Sequence, residues 1–254
     1  MNTYEHIGYN ADYIEQNVGF WKNILHRYFR AKVLGIQNCP STPFVAVGNH
    51  SGAILIPDTL VWLSFYHSMS EQQKPPLLTL AHDAFFDVYP TKIRNWASQF
   101  GAIRANKEIA LAGLQQGYAV QIYPGGDFDA CRPFRERNNI HFAGRMGYVE
   151  LAQQADVPIV PVVSHGAHKS LFILRSGVRL ARCLGVDKSL RLKTFPISLS
   201  IPWGLWIGPL IGYIPYPTTI TITVCPPISS KGNLHDIDRH VRTVMQETLH
   251  RMSQ

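Results

Sequence analysis

The amino-acid sequence predicts an α/β fold with a largely parallel central sheet flanked by helices. Two observations lead to this fold class. Short apolar segments with the length of buried strands alternate along the chain with longer segments of helical periodicity. Polar or glycine-rich turns follow several of the apolar segments. Because ligands of open α/β sheets bind outside the carboxyl ends of the strands, we expect the functional residues in these turns.

The predicted elements follow one another without a linker-like segment, so we expect a single domain over residues 1–254. Strands are predicted at 44–47, 77–80, 118–123 and 157–163, and helices at 57–66, 91–100, 108–116 and 145–155. Residues 219–224 alternate strictly between Thr and apolar side chains, which is typical of a half-solvated edge strand. A polar helix from about Leu234 ends the chain.

The composition excludes a disordered or fibrous protein and favours an anionic partner. Hydrophobic residues make up 46% of the chain and charged residues 16%, against roughly 25% in typical soluble domains. The net charge is +7. A basic but weakly charged, apolar chain fits a phosphate-bearing ligand or a lipid surface, and we expect no nucleic-acid partner.

The cysteines and the N-terminus indicate a reducing compartment. None of the four cysteines forms a C-x-x-C pair, and the N-terminus has no signal-peptide pattern. We therefore expect neither a zinc site nor a disulfide framework.

Two segments are candidates for membrane contact. Between Asp12 and Leu34, apolar residues recur at helical spacing beside four basic residues, so residues 1–34 are a candidate docking helix. The same pattern fits a helix packed on its own domain, and both interpretations stay open. We expect a peripheral location on the cytoplasmic face of a membrane.

The second segment, Thr194 to Ser230, has no charged residue but contains seven prolines, which argue against a transmembrane helix. Buried strands and turns are the first interpretation. The alternative is a group of apolar residues that line a tunnel or enter the membrane interface: Trp203, Leu205, Trp206, Ile207, Leu210, Ile211 and Tyr213.

Three turns at predicted strand ends carry the candidate chemistry: 49–52, 123–126 and 164–166. His50 follows a buried strand, and Asp58 is the next acidic residue along the chain. A histidine oriented by a carboxylate can remove a proton from a hydroxyl group. The pair alone is weak evidence in a chain with 11 histidines. His165 and His168 have no third ligand nearby, so we expect them to be structural or substrate-lining and expect no metal site.

Other catalytic signatures are absent from the sequence. It contains no G-x-S-x-G, no Walker A motif, no G-x-G-x-x-G and no H-E-x-x-H.

Four segments occur in an order that resembles the glycerolipid acyltransferase family, which includes the lysophospholipid and 1-acylglycerol-3-phosphate acyltransferases. They are Val47-Gly-Asn-His-Ser-Gly52 with Asp58, Phe100-Gly-Ala-Ile103, Ile122-Tyr-Pro-Gly-Gly126 and Val157-Pro-Ile-Val-Pro161. The resemblance covers residues 44–163. The tail, residues 166–227, resembles the bacterial branch near the diacylglycerol-acyltransferase-like members.

The resemblance implies transfer of a fatty acyl group from acyl-CoA or acyl-carrier protein to a hydroxyl of a lipid acceptor. His50 would be the general base, and Asp58 would orient it. No cofactor is implied besides the acyl thioester as co-substrate. The implied substrate-binding residues are Asn49, Ser51, Gly52, Arg104, Lys107, Gly125, Gly126 and Arg145. The backbone N–H groups near Gly125 and Gly126 would face the oxyanion, and the cations would face phosphates or an acidic carrier.

The sequence departs from the family pattern at three places. Seven residues separate His50 from Asp58, where most members have four, so Asp83 and Asp127 are alternative partners of His50. Gly125 stands where the third block usually has Glu. Lys107 stands where the second block usually has Arg. The last two departures favour a neutral alcohol or an unusual lysolipid over lysophosphatidate as acceptor.

Three alternative functions stay open at this stage. The same base could activate water in an acyl thioester hydrolase. The enzyme could act on diacylglycerol or another alcohol. The chain could also be a non-catalytic lipid-binding module at the membrane surface.

Overall fold

Parallel strands dominate the central sheet of the computed structural model, which describes residues 8–53, 55–69, 74–189, 193–210 and 212–254. The sheet has seven strands: β1 (Lys32–Leu34), β2 (Val45–Gly48), β3 (Leu77–Ala81), β4 (Ala102–Arg104), β5 (Ala119–Ile122), β6 (Ile159–His165) and β10 (Thr221–Val224). Their order is β1-β10-β6-β2-β5-β3-β4. The five strands from β6 to β4 are parallel, and β10 is antiparallel to β6. The predicted fold class is confirmed.

Helices cover both faces of this sheet. They are α1 (Ala11–Phe29), α2 (Pro57–His67), α3 (Asp83–Val88), α4 (Thr91–Gln99), α5 (Lys107–Gln115), α6 (Gly126–Ala130), α7 (Gly147–Ala155), α8 (Val178–Cys183), α9 (Val186–Ser189) and α10 (Leu234–Ser253). The alternation of side chains along β2 separates two hydrophobic clusters. Val45 and Val47 pack with residues of α5, α7 and α10, whereas Phe44 and Ala46 pack with residues of α1 and α2.

The prediction of an edge strand at 219–224 is wrong. β10 lies inside the sheet, between β6 and β1. Ile222 and Val224 are buried, and Thr221 and Thr223 are half-buried. The alternation in the sequence therefore reflects a difference in burial between the two faces of the strand, and not a position at the edge of the sheet. The edge strand on this side of the sheet is β1, whose three residues are too few for a recognisable strand pattern.

The N-terminal helix is shorter than the periodic segment that predicts it. α1 ends at Phe29 because Arg30 adopts a left-handed conformation with φ 42°, and the chain then enters β1. Ile14, Val18 and Phe29 are buried, so one face of the helix packs on the domain. Residues 1–7 of the candidate docking segment lie outside the described residues.

The uncharged segment 194–230 contains part of a second sheet. This three-stranded antiparallel sheet has the order β7-β8-β9, with β7 at Phe172–Arg175, β8 at Ile197–Ser200 and β9 at Gly204–Ile207. The expectation of buried strands is wrong for β9, all four residues of which are exposed, because β9 is the outer strand of this small sheet. Leu210 and Tyr213 are buried, and Ile211 lies outside the described residues.

The described helices include none that is both long enough and apolar enough to cross a membrane.

A buried histidine at the end of α2 makes the stability of the fold depend on pH. Burial, followed by the charge of Lys74, lowers the pKa of His67 from 6.5 to about 3. Below pH 6.5 the unfolded chain therefore binds a proton that the folded chain excludes. This residue thus lowers the free energy of unfolding by about 1.4 kcal/mol for each pH unit between 6.5 and 3.

We predict that His67→Phe flattens this dependence. The variant keeps a ring beside Tyr66 and Phe100 but has no proton to gain. Between pH 7 and pH 5.5, urea unfolding should show a loss of stability about 1 kcal/mol smaller in the variant than in the parent protein. Parallel curves for the two proteins would contradict the prediction.

Candidate active site

The three polar turns meet at one edge of the central sheet because β6, β2 and β5 are neighbours and run parallel. The buried side chain of Asn49 joins two of these turns. Its Nδ2 donates to the Ser164 carbonyl at 2.8 Å, and its Oδ1 accepts from the Ser164 N–H at 2.7 Å. Asn49, predicted to bind substrate, thus holds the ends of β2 and β6 together.

His50 and Asp58 are brought together by a loop that reverses the chain. Gly52 adopts φ +88°, and a Cβ atom at this residue would lie 2.5 Å from Pro57 Cδ, so glycine is required here. Asp58 lies in the first turn of α2. His50 Nδ1 lies 3.6 Å from Asp58 Oδ1 and 3.2 Å from Thr59 Oγ1. The carboxylate is thus slightly beyond hydrogen-bond distance from the ring, as in many catalytic pairs before substrate binds.

Two hydrogen bonds and a helix dipole stabilise the Asp58 carboxylate in a nearly solvent-free position. Its side chain is 2% exposed, against 12% for His50. Oδ2 accepts a hydrogen bond from Ser51 Oγ at 3.0 Å, and Oδ1 accepts one from the Thr59 N–H at 2.8 Å. The positive end of the α2 dipole also favours a negative charge here. Ser51, predicted to contact substrate, thus also positions this carboxylate.

Tyr123 packs flat against the His50 ring. The ring centroids are 4.3 Å apart, and the ring planes differ by 23°. Gly48 permits this approach, because a Cβ atom there would lie 2.5 Å from Tyr123 Cε1. Burial, followed by the charge of Asp58, raises the pKa of the Tyr123 hydroxyl, so this residue stays neutral. The stack restricts rotation of the imidazole about its side-chain bonds.

A buried ionic network fixes the backbone of His50. The His50 N–H donates to Asp129 Oδ2 at 2.5 Å, and Asp129 Oδ1 accepts from Arg132 Nη1. Arg132 Nη2 lies 3.3 Å from His168 Nε2. Because arginine only donates, this ring nitrogen is the acceptor and carries no proton. Burial and then Arg132 lower the pKa of His168 well below 6.5, in agreement with a neutral ring.

Asp58, rather than Asp83 or Asp127, is the partner of His50. Asp83 pairs with Arg104. Asp127 accepts from the Lys193 N–H at 2.7 Å and lies 3.8 Å from Arg145.

The cations predicted to meet phosphates all have protein partners. Arg104 pairs with Asp83 and Asp87, and Lys107 pairs with Glu150 at 2.8 Å. Arg145 donates to the carbonyls of Pro124 and Gly125 at 3.0 and 3.2 Å. Arg145 also does not open a helix, because α7 begins two residues later, at Gly147. These cations therefore stabilise surface pairs and the Pro-Gly-Gly turn.

The Pro-Gly-Gly turn is shaped by close packing. A Cβ atom at Gly125 would lie 2.3 Å from Asp129 Cβ and 2.4 Å from the His141 carbonyl oxygen. The Gly126 N–H donates to the Tyr123 carbonyl at 3.0 Å. The turn itself therefore uses the N–H donor of Gly126.

Sequence reasoning missed several residues that position His50: Thr59, Tyr123, Asp129, Arg132 and His168. Thr59 and Tyr123 adjoin predicted residues, so their positions gave a signal. Asp129 gave none, and His168 was expected only to be structural or substrate-lining. Arg132 contacts both, and these contacts join the 123–126 turn region to the segment after β6.

A histidine that stacks on an aromatic ring and lies beside a buried carboxylate, at the carboxyl edge of a parallel sheet, can act as a general base. The family described as diacylglycerol acyltransferase has a sequence profile that matches residues 1–253. The chain belongs to this family.

Curated relatives agree with this assignment. An uncharacterised protein of Mycobacterium tuberculosis is 26% identical over 236 residues, which cover 89% of this chain and 62% of the relative. The human 2-acylglycerol O-acyltransferase 3 is 26% identical over 238 residues, which cover 89% of this chain and 67% of the relative. The chicken "DGAT1/2-independent enzyme synthesizing storage lipids" is 24% identical over 211 residues, which cover 82% of this chain and 60% of the relative. The chain spans about three fifths of the length of the mycobacterial and chicken relatives.

A solved structure has the same fold. The crystal structure of the 1-acyl-sn-glycerophosphate (LPA) acyltransferase PlsC from Thermotoga maritima matches with a TM-score of 0.59 at 15% identity. The match covers 94% of this chain and 81% of that chain. At this identity, the similarity establishes the fold.

We predict that Asp129→Asn destabilises the protein strongly. The substitution leaves the buried Arg132 charge without its counter-ion, which typically costs about 3–5 kcal/mol. Asp236→Asn is the matched control, because Asp236 and Arg239 form a pair of the same i,i+3 spacing on the surface of α10. The control should cost less than about 1 kcal/mol. Urea unfolding of both variants measures the difference, and equal losses would contradict the prediction.

Proposed function

We propose that this chain is an O-acyltransferase that moves a fatty acyl group from a thioester to a hydroxyl of a lipid acceptor, with His50 as general base. The observation that carries the proposal is the His50 ring, stacked on Tyr123 with Nδ1 beside Asp58 and Thr59. Membership of the diacylglycerol acyltransferase family supports the reaction class.

The proposed reaction follows from the orientation of the imidazole. With Nδ1 directed at α2, Nε2 on the other side of the ring takes the proton of the acceptor hydroxyl. The acceptor oxygen attacks the thioester carbonyl, the tetrahedral intermediate collapses, and the C–S bond breaks. The departing thiolate takes the proton back from the imidazolium. Asp58 stabilises the imidazolium formed between these steps and keeps the proton-accepting nitrogen on the side of the acceptor.

We propose acyl-CoA or acyl-carrier protein as the donor and a neutral glycerolipid alcohol as the acceptor. The family description and the human 2-acylglycerol O-acyltransferase 3 support an acceptor without a phosphate. The pairing of Arg104, Lys107 and Arg145 with protein groups supports it as well, because these cations have partners already.

We predict that His50→Ala lowers the rate of acyl transfer by about 10²–10⁴-fold without a change in stability above about 1 kcal/mol. Asp58→Asn should lower it less, since the base remains in place. His235→Ala is the matched control, because this histidine is exposed on α10 and should have no effect. The measurement is mass spectrometry of lipids formed from labelled acyl-CoA and a panel of monoacylglycerol, diacylglycerol, long-chain alcohols and lysophospholipids.

The same assay separates the alternative functions. Release of free fatty acid at a rate independent of acceptor would identify a thioester hydrolase. Lipid binding without acyl product, unchanged by His50→Ala, would identify a non-catalytic lipid-binding module. Either outcome overturns the proposed transferase.

We propose that the protein attaches peripherally to a membrane through the outer face of the small sheet. Leu199, Leu205 and Ile207 lie on one face of β8 and β9, where Leu199 pairs with Leu205, and they are 42%, 61% and 55% exposed. Trp203, just before β9, is 54% exposed, and Trp favours the membrane interface. Arg175, Arg179 and Arg182 on the neighbouring β7 and α8 are exposed and suit anionic headgroups.

We predict that the double substitution Leu205→Ser with Ile207→Ser releases the protein from vesicles in which about one lipid in three is anionic. Burial of two such side chains in the interface contributes about 3–6 kcal/mol. Phe20→Ser with Ile24→Ser is the control pair, because both residues are exposed on α1. Vesicle flotation measures binding, and salt should weaken it only partly, because hydrophobic insertion is not screened. Release by the α1 pair instead would place the docking surface on the N-terminal helix.

A further inference from the structure

A basic cleft lies at the same edge of the central sheet as His50. It has a volume of about 570 Å³ and extends between the end of β6, the start of β10 and Arg30, the residue that follows α1. Its polar lining includes Arg30, His165, Lys169, Thr218, Thr219 and Thr221. No acidic residue is among the described residues that line it.

The cations of this cleft differ from those that the sequence singled out. Arg30 Nε donates to Thr219 Oγ1 at 3.1 Å, which turns the guanidinium toward the threonines. Within the part of the chain that the structure describes, neither Arg30 nor Lys169 has a carboxylate partner. Arg104, Lys107 and Arg145, by contrast, all have acidic partners.

The surroundings of His165 show the same excess of positive charge. Burial, followed by the charges of Lys169 and Arg137, lowers the pKa of this half-buried ring below 6.5. The cleft therefore offers guanidinium, ammonium and hydroxyl donors in a positive potential. Such a set of donors matches the oxygens of a phosphate group.

The sheet register places the cleft close to the candidate base. His165 pairs with Thr221 across β6 and β10, and Gly48 at the end of β2 pairs with Val162 of β6. β10 is thus two strands from β2, which corresponds to about 10 Å at the usual strand spacing. A substrate whose reactive carbon lies at His50 can reach the cleft with a flexible arm.

We propose that this cleft binds a phosphate group carried by a substrate, away from the reacting atoms. The inference rests on the proposed function for the identity of that substrate. An acyl-CoA donor has phosphates at the far end of its pantetheine arm, and a phospholipid acceptor has one in its headgroup. The shared chemistry is a phosphate recognised by Arg30, Lys169 and the threonine hydroxyls.

The test measures binding directly, so that it does not depend on turnover. Calorimetry with the full chain compares CoA, dephospho-CoA, pantetheine, inorganic pyrophosphate and lysophosphatidate. The test variants are Lys169→Gln and Arg30→Gln. The matched control is Lys231→Gln. Lys231 lies beside Asp156, which precedes β6, so it is at the opposite edge of the sheet from the cleft. Each test variant should weaken binding of the phosphate-bearing substrate about five- to twentyfold, and pantetheine should bind all proteins equally.

The pattern of losses identifies the source of the phosphate. If the variants bind CoA more weakly but lysophosphatidate with unchanged affinity, the cleft binds the donor. If they weaken the binding of CoA but not that of dephospho-CoA, the cleft binds the 3′-phosphate. Weaker binding of lysophosphatidate with unchanged CoA assigns it to the acceptor. Unchanged affinity for every phosphate compound in both variants overturns the proposal. If the protein binds phosphates in this way but forms no acyl product, the proposed transferase fails while the phosphate site stands.

Discussion

The position of the His50 ring depends on a carboxylate that is absent from the motif itself. Asp129 accepts the His50 N–H and is held in turn by Arg132, which contacts His168. This chain of contacts joins the loops that follow β2, β5 and β6. Burial raises the pKa of Asp129, and the Arg132 guanidinium acts in the opposite direction. A buried carboxylate without this arginine would be costly to keep charged, so the loop geometry at His50 requires the pair.

Around this network, each remaining restraint acts on a different part of the histidine. Asn49 fixes the backbone before it through Ser164. Tyr123 covers one face of the ring, and Asp58 and Thr59 lie at Nδ1. The residues nearest His50 in sequence thus position the site from within the protein.

The distribution of charge divides the surface into three regions with different roles. Arginines and lysines near the Pro-Gly-Gly turn and at the β4 edge neutralise carboxylates of the protein. Those of the cleft beside β10 have no such partners among the described residues, so their positive potential is available to a ligand. The outer face of the small sheet is apolar, with arginines on the adjacent elements.

The sequence by itself determined the alternation of strands and helices and the largely parallel sheet. These features follow from local periodicity and from turn chemistry, which any short window of the chain contains. The start of the C-terminal helix at Leu234 was recognisable for the same reason, since Asn233 caps it.

Only the tertiary structure decided which strand lies at the edge, which cations are free to bind a ligand, and which apolar residues face solvent. β9 is the more apolar of the two strands, yet it is the exposed outer strand of a small sheet, whereas β10 is enclosed between two strands. Arg104 and Arg30 are the same residue type, but among the described residues only Arg104 meets carboxylates. Burial and charge pairing are set by residues distant in sequence, and no local pattern encodes which of those residues will meet.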